Sequence, residues 1–154
     1  MFENVEWGTI FTALGVVLSL VLPGIGSAIG VARAGQAAAG VVAEQPENFF
    51  KCMIVQLLPG SQGIYGLVIA FMILSSSGLM GGTAPNVGVG LQMLAASLPM
   101  AFGGLVSAIQ QSKVAVAGIN IIGKRSNGLM NAMLLTLMVE LYALFALLIS
   151  IMMI

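Results

Sequence analysis

Apolar residues fill this chain in four long stretches, at about 8–43, 48–75, 87–122 and 128–154, and polar residues gather between them. The interruptions read EQPE (44–47), SSSGLMGGTAPN (75–86) and GKRSN (123–127). Each apolar segment exceeds the roughly 20 residues that carry a helix across a bilayer. Inside hydrocarbon a backbone must satisfy its own hydrogen bonds, which selects helices for segments of this kind. Segments 1 and 3 would reach about 54 Å at about 1.5 Å per residue and so project beyond the hydrocarbon at one end. The pattern predicts an all-α integral membrane protein: four transmembrane helices in two tandem helical hairpins, residues 1–80 and 81–154.

Composition sharpens this. The chain is 59% hydrophobic and only 6% charged, with a mean hydropathy of +1.09, whereas soluble domains carry about 25% charged residues. So few charges cannot cover a soluble surface. A formal net charge of zero gives no support for nucleic-acid binding. The single cysteine, Cys52, cannot form an internal disulfide, and there is no histidine for a His-based metal site. The opening MFENVEWGTI holds two acids and no base, and its apolar continuation is far too long for a secretory signal. It reads as a retained first membrane helix.

The five bases, Arg33, Lys51, Lys113, Lys124 and Arg125, all lie toward the first and third interruptions. Basic residues mark the cytoplasmic side, so EQPE and GKRSN are expected there, with both termini outside. Those short polar turns are candidate docking points for a soluble partner. Arg33 and Lys113 are expected to snorkel toward the cytoplasm.

The two halves also resemble each other. SAIGVAR (27–33) pairs with SAIQQSK (107–113), and a weaker register of segments 2 and 4 sets Gln62 opposite Glu140. Chance similarity between low-complexity apolar helices is the competing explanation. Glycine concentrates in segments 1 and 3, where Gly26 and Gly30 form a G-x-x-x-G pair, while segment 4 is rich in large side chains such as Phe145, Leu148 and Met152. Small residues let membrane helices approach closely. The expected object is layered, with 1 and 3 inside and 2 and 4 outside.

Glu140 carries the chemistry. It lies within MVELYALFALLIS, where an ionised carboxylate at mid-membrane costs roughly 2.5–3.5 kcal/mol on insertion scales. Counted from the nearest cytoplasmic interruption, Gln62, Gln111 and Glu140 all lie about 20 Å deep at about 1.5 Å per residue. Ser61 adjoins Gln62, and Tyr65 follows one turn later. Pro59, in LLPGSQG, disturbs the helix and can expose backbone carbonyls. One carboxylate, two amides, a hydroxyl and a carbonyl make an oxygen-only set suited to a hard cation. A single carboxylate favours Na⁺ over divalent ions, which usually draw more anionic ligands. Taken singly, either glutamine reads as an interhelical hydrogen bond, Tyr65 as packing, and Glu140 as a protonated carboxyl bonded to a neighbour. GIGSAIG lacks both the preceding strand and the following Lys-Ser/Thr of a phosphate-binding loop. No nucleophile–base pair is present, so no catalytic residue is assigned.

At LLPGSQGIYG, SLPMAFGGLVSAIQQSKVAVAGI and MVELYALFALLIS the chain closely resembles the proteolipid subunits of V-type (V/A-type) rotary ATPases, in the doubled four-helix form of the bacterial sodium-pumping enzymes. That resemblance covers nearly all of residues 8–154. It implies identical protomers in a rotor ring of the cell membrane, turning against a stator subunit with an essential arginine. It further implies central-stalk subunits at 44–47 and 123–127 and lipid around and within the ring. It places Na⁺ on the Leu58 carbonyl, the Ser61 hydroxyl, Gln62, Gln111 and Glu140, with the Tyr65 hydroxyl bonded to Glu140. Sodium-binding relatives often have threonine where this chain has Ser61. Serine keeps the hydroxyl, and transport of H⁺ on Glu140 stays open as the alternative. A stand-alone cation-coupled transporter and a purely structural scaffold are the readings from other classes.

Overall fold

The computed structural model describes residues 6–125 and 127–154; the first five residues of the acidic N-terminal stretch, and Ser126 of GKRSN, lie outside the described residues. Helix α1 runs Trp7–Glu44. A 3₁₀ turn at Pro46–Asn48 leads into α2, Phe49–Leu57. A second 3₁₀ turn, Leu58–Gly60, joins α2 to α3, Ser61–Ser76, and the three pieces run on as one span. A third turn at Leu79–Gly81 precedes α4, Val87–Lys124, and α5 closes the chain at Leu129–Met153. All four spans are long and apolar enough to cross a membrane.

Local sequence explains where these helices stop. Gln45 precedes Pro46, a position that disfavours helical backbone, and α1 ends there with Gln45 at φ −137°. Gly78 and Gly82 take φ of 86° and 75° in the middle connection, the left-handed region that only glycine enters cheaply. Asn86 caps α4, its side chain accepting the Val89 N–H at 2.9 Å.

Helices α1 and α4 pack along most of their length and form the centre of the molecule; the second span lies against α1, and α5 against α4. Glycine makes this closeness feasible. A Cβ on Gly26 would stand 2.7 Å from the Leu105 carbonyl oxygen, and one on Gly30 would stand 2.7 Å from Pro59 Cβ. The second contact seats the broken part of the second span on α1. Pro23 and Pro99, by contrast, sit inside unbroken helices.

The connections are tied at two ends. Gln45 Nε2 donates to the Gly123 carbonyl at 2.8 Å, so the first and third connections share one end. At the opposite end Gln92 Nε2 donates to the Met153 carbonyl at 3.1 Å, and Gly8 packs on the backbone of Pro85 and Asn86. The two hairpins therefore run parallel to each other. Large side chains such as Phe50, Ile64 and Phe71 on the second span, and Met138, Phe145 and Met152 on α5, point outward.

Candidate ion-binding site

The Pro59 break shapes one wall of the site. Proline has no N–H to donate and crowds the preceding turn, and here the backbone tightens to 3₁₀ over Leu58–Gly60. The Leu58 carbonyl consequently turns onto Ser61. It accepts the Ser61 backbone N–H and also the Ser61 hydroxyl at 2.9 Å. That hydroxyl lies 3.4 Å from Gln62 Oε1. Three oxygens of the second span are thus gathered within a few residues of the break.

Gln62 and Gln111 are both fully buried. Gln62 Nε2 donates to Gln111 Oε1 at 2.6 Å and to Ser107 Oγ at 3.3 Å. Gln111 Nε2 in turn donates to the Thr136 carbonyl at 3.2 Å and to Glu140 Oε2 at 3.3 Å. The other carboxylate oxygen, Glu140 Oε1, accepts the Tyr65 hydroxyl at 2.5 Å. Glu140 is only 7% exposed. The side chains expected at one depth, from α3, α4 and α5, are therefore joined by one continuous hydrogen-bonded path. Leu58 and Ser61 attach to it through Gln62.

Both partners of the carboxylate are uncharged donors, a phenol and an amide. An ionised Glu140 would thus keep a negative charge that neither neighbour balances. Of the five acidic residues in the chain, Glu140 alone lies beyond residue 47, so this one carboxylate supplies the anionic charge of the cluster. Around it the facing groups are oxygens and amides, the chemistry of a hard monovalent cation or of a proton.

Three groups in the path go beyond the residues singled out from the sequence: the Ser107 hydroxyl and the carbonyls of Thr136 and Val139. Ser107 Oγ donates to the Val139 carbonyl at 3.1 Å. Helical spacing was the available signal, because Ser107 lies four residues before Gln111 and Thr136 four before Glu140, on the same helix faces. The backbone carbonyls carried no signal at all.

The family model of the ATP synthase C subunit matches twice, over residues 14–73 and 94–153. The chain belongs to the ATP synthase C subunit family. The second match repeats the first with both bounds shifted by 80 residues, the offset between SAIGVAR and SAIQQSK, so the internal resemblance is a true duplication. The chain is 45% identical to the V-type sodium ATPase subunit K of Enterococcus hirae, over 93% of this chain and 89% of that protein. It is 35% identical to the A-type ATP synthase subunit K of Methanocaldococcus jannaschii over 92% of this chain, which spans 60% of the archaeal protein. It is 26% identical to the 16 kDa proteolipid of the Ovis aries V-type proton ATPase, over 94% of this chain and 91% of that protein.

Proposed function

We propose that this chain is the membrane rotor subunit of a V-type rotary ATPase and carries Na⁺ across the membrane on Glu140. The observation that supports this most is the burial of one carboxylate within a span, linked to an oxygen-rich path drawn from two other spans. The name and full-length similarity of the Enterococcus hirae protein agree with it. The ion would be held by Glu140, Gln111, Gln62, the Ser61 hydroxyl and the Leu58 carbonyl, with Tyr65 fixing the carboxylate. Na⁺ is close in size to Ca²⁺, whose oxygen distances are about 2.3–2.6 Å. Two oxygens at right angles around such an ion stand about 3.3–3.7 Å apart by that geometry. The 3.4 Å between Ser61 Oγ and Gln62 Oε1 suits that spacing.

The mechanism follows from electrostatics. With Na⁺ bound, the Glu140 charge is balanced and the site tolerates lipid as identical protomers turn together in a ring. Without the ion, the anion is too costly to expose to hydrocarbon and stays beside an aqueous access path or a stator arginine. Rotation driven by ATP hydrolysis in a soluble head then becomes directional transport. The hydrolytic site belongs to that head, and central-stalk subunits dock at 44–47 and 123–127. Those connections face the cytoplasm of a plasma-membrane complex, and both termini face outside.

Carbodiimide labelling of Glu140 in the purified complex tests this. Millimolar Na⁺ should protect the carboxyl, and more Na⁺ should be needed as pH falls, because a proton competes with Na⁺ for the Glu140 carboxylate. Labelling that follows pH alone and ignores Na⁺ would assign the same rotor to H⁺.

A further inference from the structure

The two glutamine amides could each present either end to the ion, and only one orientation offers oxygen; we infer that Ser107 is a positioning residue that, together with Gln111, sets this orientation for Gln62. The inference rests on the Na⁺ reading above. A backbone carbonyl can only accept a hydrogen bond. Ser107 Oγ lies 3.1 Å from the Val139 carbonyl, so the single hydroxyl proton of Ser107 is committed to α5. Toward Gln62, 3.3 Å away, Ser107 then has only lone pairs to offer. It must meet Nε2, which turns Gln62 Oε1 to the other side, toward the Ser61 hydroxyl at 3.4 Å.

Gln111 is oriented by the same logic. Its Nε2 faces two obligate acceptors, the Thr136 carbonyl and the Glu140 carboxylate, so Oε1 is left to face Gln62 Nε2. Two carbonyls of α5, at 136 and 139, thus propagate a fixed polarity through α4 to the second span. Ser107 is the side chain that relays it from Val139 to Gln62. It is 4% exposed, and its hydrogen bonds run to Val139 and Gln62 rather than to the carboxylate. Its role is therefore separable from that of Glu140.

Removing the relay leaves Gln62 Nε2 with one acceptor, Gln111 Oε1, instead of two, so the oxygen-to-ion orientation loses the support of one hydrogen bond. Ser107→Ala should raise the Na⁺ concentration giving half-protection of Glu140 about tenfold, the scale of one lost hydrogen bond. Ser107→Thr, which keeps the hydroxyl, should restore it to near the parent value. The pH profile of labelling without Na⁺ should be the same in all three proteins, because proton binding does not use the Gln62 oxygen. The experiment compares half-protecting Na⁺ and the Na⁺-free pH profile in intact complexes carrying the parent chain, S107A or S107T. Equal half-protection in the parent and S107A would overturn the inference and leave the Na⁺ site standing. A Na⁺-free pH profile that moves in S107A would also overturn it, since a general loosening of the site shifts both readouts. A parent complex that Na⁺ does not protect at all would instead remove the reading on which the inference rests.

Discussion

Glu140 is the residue whose replacement separates chemistry from architecture. Glutamine keeps its length and a hydrogen-bonding oxygen and removes the charge. Glu140→Gln should abolish coupled ion transport and carbodiimide labelling while the complex still assembles, and normal pumping by that variant would be incompatible with the assignment. Tyr65→Phe is a milder probe. It deletes the 2.5 Å bond to Glu140 Oε1 and keeps the ring. One hydrogen bond is worth about a factor of ten in affinity, and more to a charged acceptor. Weaker Na⁺ protection by at least that factor is expected, measured by labelling at fixed pH. At this scale the sequence was most informative about titratable and amide side chains. Gln62, Gln111 and Glu140 stood out because polar groups are rare in such segments, whereas Ser107 and Thr136 blended into a background of small residues. The Thr136 and Val139 carbonyls are invisible in any sequence, since every residue has one.

Among the elements, the second span shows most clearly how a local rule serves the site. A proline followed by glycine could leave a helix kinked, broken or continuous, and Pro23 and Pro99 show that continuity is available in this same fold. At Pro59 the chain chooses a 3₁₀ turn, whose tighter winding brings the Ser61 backbone N–H onto the Leu58 carbonyl, which also accepts the Ser61 hydroxyl. Pro59→Ala should let α2 and α3 fuse into one regular helix, since alanine restores both the N–H and the best helix propensity. Helix content measured by circular dichroism should hold or rise slightly while Na⁺ protection of Glu140 falls sharply. Unchanged protection would show that the turn is dispensable to the ion. The sequence marked this position as disturbed, but the form of the disturbance depends on tertiary seating: Gly30 of α1 leaves the space that Pro59 fills. Gly26 makes the same point for α1 against α4. A leucine there would press on the Leu105 backbone, which cannot move aside without bending α4. Overpacking of this kind costs typically about 1–3 kcal/mol and occasionally more. Gly26→Leu should therefore lower the thermal midpoint of the purified complex or block its assembly.

For the molecule as a whole, duplication decides the orientation of everything else. Two copies of one hairpin enter the membrane in the same sense, so the first and third connections must share a side, and the bond from Gln45 to the Gly123 carbonyl holds them together there. The alternative of a stand-alone transporter favours inverted repeats around a central substrate cavity. Parallel repeats with a glycine-lined α1–α4 seam do not provide that arrangement. The four apolar segments and the internal repeat made this much legible before any coordinates. From the positions of the five bases the first and third connections are expected on the cytoplasmic side, and this can be tested directly. The native thiol is buried, with Cys52 at 0% exposure, and a Cys52→Ala background would silence it altogether. In that background Glu47→Cys and Lys124→Cys, both at exposed positions, should react with a membrane-impermeant maleimide only from the cytoplasmic face. Thr83→Cys, in the middle connection, should react only from outside. Right-side-out and inverted vesicles distinguish the two. If the pair at 47 and 124 divided between the faces, the hairpins would not be parallel, and the amide of α3 could not share its depth with the amide of α4 and the acid of α5.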